Sequence, residues 1–228
     1  MRALFVWVRT GGALAAAVAV IAQLVHAIEY WTETGVRDLS VSITNYFSYF
    51  TVQSNIAASV VLAVGAIRLA RATPEYVDSR AFAVARVCVT SYILTTGIVY
   101  NVLLRPLDTA HPVTLRWADE IMHVVVPLIL LADIVLAPGR RRVGWSAVGI
   151  VIVYPIAWAV YTLVRAPFTY SDAQHRNGWY PYPFLDPTTG TGSLVSVLTY
   201  IVAIAALIVL VSVAVLSLIR RHSAGRAG

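Results

Sequence analysis

Six stretches of this chain, residues 10–28, 46–67, 87–104, 121–137, 143–164 and 193–219, carry almost no charge. Crossing the hydrocarbon of a bilayer as a helix takes about 20 residues, and backbone polar groups in lipid have to be satisfied within the segment. Each stretch is close to that length or beyond it, so the pattern predicts an all-α membrane protein, a bundle of six transmembrane helices over approximately 5–28, 44–70, 81–104, 117–137, 143–165 and 193–219. The whole composition agrees, with 59% hydrophobic residues, 12% charged and a mean hydropathy of +0.75. The spans consume most of the 228 residues, and the chain reads as a single integral membrane domain over 1–228.

The chain contains no lysine, and all 17 basic residues are arginine. With a cytoplasmic N-terminus, twelve fall on the inner side (Arg2, Arg9, Arg68, Arg71, Arg80, Arg86, Arg140, Arg141, Arg142, Arg220, Arg221, Arg226) and five outside (Arg37, Arg105, Arg116, Arg165, Arg176). Arginine excess marks the cytoplasmic face, so both termini are expected there. The arginines form no continuous stripe, so the net charge of +6 sets topology and meets lipid headgroups; nucleic acid is not an expected partner. Residues 1–28 have features of a secretory signal, but Gln23, His26 and the need for an even span count favour a retained helix. The one cysteine, Cys88, lies within the third span and allows no intrachain disulfide.

Inside lipid, polar side chains turn toward the bundle interior or a wet cavity. At 100° per residue, Asn45, Ser48, Thr51, Asn55 and Ser59 share one face of the second helix; Arg116, Asp119, Glu120, His123 and Pro127 share one face of the fourth. Arg86, Thr90, Gly97 and Asn101 do so in the third, and Tyr154, Trp158, Tyr161 and Arg165 in the fifth. Thr51 and His123 fall at nearly equal depth, about 10 Å inward from the outer ends of their helices at 1.5 Å per residue. Asn101, Tyr161, Thr199 and His26 also fall in the outer half, which predicts an outer polar pocket over an inner half holding little beyond Arg86 and Asp133.

A hydroxyl beside an imidazole is the minimal constellation for nucleophilic hydrolysis, and Thr51 and His123 are the candidate pair. Asp119 and Glu120 precede His123 by four and three residues, so either carboxylate is placed to orient its ring; either is equally placed to pair with Arg116 or Arg105 at the surface. Asn55, Asn101 and Tyr161 are the candidate donors to an oxyanion. The loop 166–192 before the last span carries Trp179, Tyr180, Tyr182, Phe184 and four prolines, a composition suited to an interfacial anchor or to a lid over an outer cavity. The arginines of Pro138-Gly139-Arg140-Arg141-Arg142 read as a topology anchor.

Three strings carry a family resemblance: Tyr49-Phe50-Thr51-Val52-Gln53-Ser54-Asn55, Ile121-Met122-His123-Val124-Val125-Val126-Pro127, and Gly178-Trp179-Tyr180-Pro181-Tyr182-Pro183-Phe184-Leu185. They resemble the androgen-induced membrane hydrolase family and related six-helix bacterial membrane proteins. Animal members hydrolyse esters of hydroxy fatty acids within the membrane with a threonine nucleophile and a histidine. The resemblance implies Thr51 as nucleophile, His123 as general base, membrane lipids as surroundings, a fatty-acyl ester as substrate and no cofactor.

Two other classes fit parts of the pattern. The same pocket in a non-catalytic transporter or lipid-binding protein binds without turnover, although the two halves of the chain show no repeat. A metal or haem site would draw on His26, His111, His123 and His175, but no closely spaced ligand pair exists, and no metal is expected.

Overall fold

The first helix runs further than its apolar core requires. In the computed structural model, which describes residues 1–107, 113–188 and 193–224, α1 spans Arg2–Thr34, so Glu29 and Glu33, beyond the span expected over 5–28, lie on its last turns. Gly35 ends it in the left-handed conformation (φ 67°), donating its N–H to Trp31 O. Asp38 then caps α2 (Leu39–Ser48) by accepting from Ser40 N at 2.8 Å and Val41 N at 3.2 Å. Bonds from the Ser40 side chain and the two backbone groups hold the Asp38 carboxyl below its ordinary range.

The remaining helices are α3 (Phe50–Ala70), α4 (Arg80–Val99) continued by a π turn (Tyr100–Leu104), α5 (Arg116–Glu120), a second π turn (Ile121–Val125), α6 (Val126–Leu136), α7 (Ala147–Arg165) and α8 (Leu194–Ala224). Among the described residues, five helical segments, at 2–34, 50–70, 80–107, 147–168 and 194–221, are long and apolar enough to cross a membrane. The fourth apolar stretch is helical from 116 to 136, but its π turn divides it into shorter α-helices. Pro112, His111 and Arg226 lie outside the described residues, as does the end of the loop at Gly192.

Small residues let α1 and α3 approach closely. Ala13 and Ala16 pack with Ala58 and Leu62, and Ser59 donates to Ala13 O at 2.9 Å. A methyl on Gly12 would stand 2.9 Å from Ile129 Cγ2 and 3.1 Å from Leu62 Cδ1, so a side chain there would force its neighbours to shift. Large apolar side chains face outward along the bundle, among them Leu14, Val18 and Ile21 on α1, Val60 and Ile67 on α3, Val153 and Val160 on α7, and Leu198, Val202 and Leu210 on α8. A second core joins α3, α4, α7 and α8 through Phe50, Tyr92, Val151, Val211 and Leu216.

Both described chain ends sit at one end of the bundle. Arg2 donates to Leu69 O and Ala72 O beyond α3, Asp78 N donates to Gly139 O, and Arg142 and Arg220 donate to Arg220 O and Val143 O. This end holds a buried ionic network where the residue pattern predicts only Arg86 and Asp133. Asp133 accepts from Arg9 Nε and Arg86 Nη2, each at 2.6 Å, and Arg86 Nη1 reaches Asp78 at 2.6 Å. Arg9 also donates to Gly65 O at 2.8 Å and is 1% exposed, so it is an internal ion rather than a surface marker of topology. Two arginines against two aspartates leave no net charge, which is what allows such groups inside.

Candidate active site

The second apolar stretch, expected as one helix over 44–70, is broken at Tyr49, whose backbone is extended (φ −66°, ψ 129°). No proline or glycine causes the break. Carbonyls freed from the helical ladder are met by side chains instead: Gln53 Nε2 donates to Phe47 O at 2.8 Å and Trp158 Nε1 to Ser48 O at 2.9 Å. The stripe on α7 serves this junction throughout, since Tyr154 donates to Gln53 Oε1, Tyr161 shares a bond with Ser48 Oγ at 2.9 Å, and Arg165 donates to Asn45 Oδ1. Thr51 consequently becomes the second residue of a new helix, where its N–H has no partner within α3.

His123 lies in the π turn of the fourth stretch. Pro127, four residues on, has no N–H to offer the His123 carbonyl, and Asn101 Nδ2 donates to it at 3.3 Å. Gly97 admits this approach, since a methyl there would stand 3.0 Å from His123 O. The opposite π turn presents Tyr100, whose ring stacks on the imidazole at 3.8 Å between centroids with 14° between planes. π turns inside helices concentrate at functional sites, and here two of them face each other.

The two expected residues meet. Thr51 Oγ1 lies 3.3 Å from His123 Nε2, and both residues are buried. His123 Nδ1 lies 3.0 Å from Asp119 O and 3.1 Å from Asp119 Oδ1. A carbonyl oxygen can only accept, so in the neutral ring Nδ1 carries the hydrogen and the Nε2 lone pair faces the hydroxyl. Asp119 is held in turn by Tyr100 OH at 2.5 Å. Of the two carboxylates within reach, Asp119 takes the orienting position, while Glu120 pairs with Arg105 at 2.7 Å on the half-exposed surface.

The three expected oxyanion donors are committed elsewhere. Asn55 Nδ2 donates to Thr51 O at 3.0 Å and Met122 O at 3.4 Å, Asn101 Nδ2 to Gly97 O and His123 O, and Tyr161 bonds Ser48. The two asparagines hold the backbone that carries the pair, and Tyr161 holds the Ser48 side chain. The donor that residue spacing missed is Tyr182: its phenol oxygen accepts from Thr51 N at 3.2 Å and shares a bond with Thr51 Oγ1 at 3.2 Å. Burial pushes the Tyr182 phenol above its ordinary pKa, and the bonds from Thr51 work the other way.

Tyr182 arrives from the loop before α8. That loop forms a short hairpin, Tyr170–Ser171 antiparallel to Arg176–Asn177, and Gly178 (φ 108°) turns the chain inward. Tyr182 then packs edge-on against Tyr49 and stacks on Phe184, with Trp179 also edge-on to Tyr49. Burial would raise the Asp186 carboxyl at the loop's far end, but bonds from Thr188 and the charge of Arg176, 3.0 Å away, outweigh it and hold the group below its ordinary value. The aromatic run is therefore packed into the bundle, with Tyr182 only 9% exposed.

Two cavities meet at this point. One, of about 830 Å³, is lined by polar and aromatic residues that include Gln23, Asn45, Tyr46, Asp119, His123 and Trp179. The other, of about 290 Å³, is walled by apolar side chains of α4, α7 and α8, among them Val99, Pro155, Leu163, Leu198 and Ile204. Thr51, Leu104 and Tyr182 line both. Among the described residues no cluster of three His, Cys, Asp or Glu side chains is arranged to hold a metal ion. Comparison with protein-family models, with curated proteins and with solved structures finds no match to this chain.

Proposed function

We propose that this protein is an intramembrane hydrolase of fatty-acyl esters, with Thr51 as nucleophile and His123 as general base. The observation that carries the reading is the Thr51 Oγ1 to His123 Nε2 contact of 3.3 Å at the junction of a polar and an apolar cavity. An acyl ester has the same division, with a hydrocarbon chain on one side of its carbonyl and an alcohol on the other. The resemblance to the androgen-induced membrane hydrolase family points to the same two residues.

In the first half-reaction His123 Nε2 takes the Thr51 proton as Oγ1 bonds to the ester carbonyl carbon. The carbonyl oxygen becomes an oxyanion, takes over the Thr51 N–H and receives the Tyr182 hydroxyl as second donor; the start of α3 adds its positive end. Collapse breaks the bond to the alkoxide, which leaves with the proton from His123. Water then attacks the acyl-threonine with His123 again as base, which releases the carboxylic acid and restores Thr51. Asp119 keeps Nδ1 protonated and stabilises the imidazolium throughout.

The chain is further read as six spans in a membrane, with residues 116–136 as the span divided by its π turn and both ends cytoplasmic. Outward apolar side chains and the excess of arginines at the end holding Arg2 and Arg220 support this. Hydrolysis by purified wild type and Thr51→Ala across a panel of fatty-acyl esters tests the function: turnover in wild type and its loss in the folded variant are expected. Equal turnover in both removes Thr51 from the chemistry, and ligand binding without turnover by wild type replaces the enzyme with a lipid-binding protein.

A further inference from the structure

The polar cavity carries information about the alcohol half of the ester. Among its described lining residues there is no arginine, and the chain has no lysine. Residues 108–112 and 189–192 contain no basic residue other than His111. The outer arginines turn to other partners: Arg165 to Asn45 and the face of Trp179, Arg37 over Tyr170, Arg105 to Glu120 and Arg176 to Asp186. Arg116 does not line the cavity. A carboxylate or phosphate on the alcohol would therefore enter with no arginine or lysine to meet it and beside Asp119 and Asp172, with the His175 imidazole as the one basic side chain of the wall outside the Thr51–His123 pair, an arrangement that disfavours an anion.

A cation is not called for either. Asp119 is already bonded to His123 and Tyr100, and Asp172 accepts from Arg37 N at 2.9 Å. Apart from the His175 imidazole and the two carboxylates, the wall offers neutral groups: the Gln23 and Asn45 carboxamides and the Thr34 hydroxyl, each holding protein partners but with hydrogen-bonding capacity beyond them, and the rings of Tyr30, Tyr46 and Trp179. Flat rings beside amide and hydroxyl groups suit a ligand with apolar C–H faces and hydroxyls at its edge. The volume of about 830 Å³ is far larger than a glycerol requires.

We infer that the alcohol released by this site is an uncharged, hydroxyl-rich group of the sugar class, and that its ester is an acylated sugar or larger polyol rather than an ester of a hydroxy fatty acid. The inference rests on the hydrolase reading for the reaction, and on the cavity wall for the choice of alcohol. Thr34, exposed at the cavity rim and outside the catalytic machinery, is the position from which a new arginine would supply the missing counter-ion.

The test holds the acyl chain constant. Wild type in lipid nanodiscs is given glucose 6-palmitate, palmitoylcholine and the palmitate ester of 12-hydroxystearic acid, whose free carboxylate makes it the anionic member. The glucose ester is expected to exceed both others in kcat/KM by about tenfold or more, and Thr34→Arg to narrow its lead over the anionic ester. An anionic or choline ester turned over as well as the glucose ester overturns the inference. Binding of the corresponding hexadecyl ethers to Thr51→Ala separates this from failure of the hydrolase reading. Tighter binding of hexadecyl glucoside sustains the sugar preference even with no ester turned over; equal or tighter binding of the anionic or cationic ether refutes it.

Discussion

Tyr182 touches Thr51 twice, its phenol oxygen lying 3.2 Å from the backbone nitrogen and 3.2 Å from the hydroxyl of the same residue. One side chain from a loop 131 residues away thus bonds both the N–H and the hydroxyl of Thr51, beside the position at which the proposed mechanism places the oxyanion. Removing only that hydroxyl leaves the ring packed against Tyr49 and Phe184, so Tyr182→Phe is expected to fold normally. Loss of one oxyanion donor lowers kcat by about 10²-fold with little change in KM. A steady-state comparison in the same nanodiscs reads the split.

The same phenol fixes a pH expectation. Its pKa is raised by burial, so the neutral form persists in the folded protein beyond the ordinary tyrosine range near 10. The sign follows: Tyr182 stabilises the fold fully below its unfolded pKa, and that contribution is lost as pH rises above it. Wild-type activity is expected to show no alkaline decline due to Tyr182 below about pH 10. If wild type declines earlier, Tyr182→Phe is expected to decline at the same pH; disappearance of the limb in the variant contradicts this.

Asp119 and Glu120 are adjacent in sequence and opposite in consequence. Asp119→Asn keeps the shape but weakens the hold on His123 Nδ1, and a loss of about 10² to 10⁴ in kcat is expected. Glu120→Gln removes only a half-exposed ion pair with Arg105, worth about 0 to 1 kcal/mol, and activity and stability should stay near wild type. Parallel rates for the two variants decide which carboxylate orients the ring.

At the opposite end, Asp133 holds two arginines at once. Asp133→Ala strands Arg9 in a buried site and leaves Arg86 with Asp78 alone, and a loss of about 3 to 5 kcal/mol of stability is expected. Replacing Arg9 by Met together with Asp133 by Asn leaves Arg86 with Asp78 and restores part of the loss. Denaturant unfolding of the purified proteins measures both.

Much of this arrangement was legible in the residues, for a reason that also marks its limit. Helical spacing and depth brought Thr51 level with His123 and set both carboxylates within reach of its ring, because both inferences need only local geometry. Choosing Asp119 over Glu120 needed Arg105 and Tyr100, which lie on another helix. The break at Tyr49 left no trace because no helix breaker causes it; Trp158 and Gln53 cap the freed carbonyls through tertiary packing. Tyr182 sits in a loop that periodicity does not describe, although its aromatic company had pointed to that segment. Arg9 looked like a flanking cation because its partner Asp133 is 124 residues away.

The two cavities that share Thr51 differ in their walls, one polar and aromatic, the other apolar. The hydrolysis proposed at that threonine would deliver its acid into an apolar cavity and its alcohol into a polar one, so the products would part company as they form. Re-encounter at the nucleophile then requires a fatty acid to come back through one side while the alcohol comes back through the other. The junction of Thr51, Leu104 and Tyr182 is in this sense a phase boundary, across which the proposed hydrolysis would be driven forward by partition as well as by bond energy.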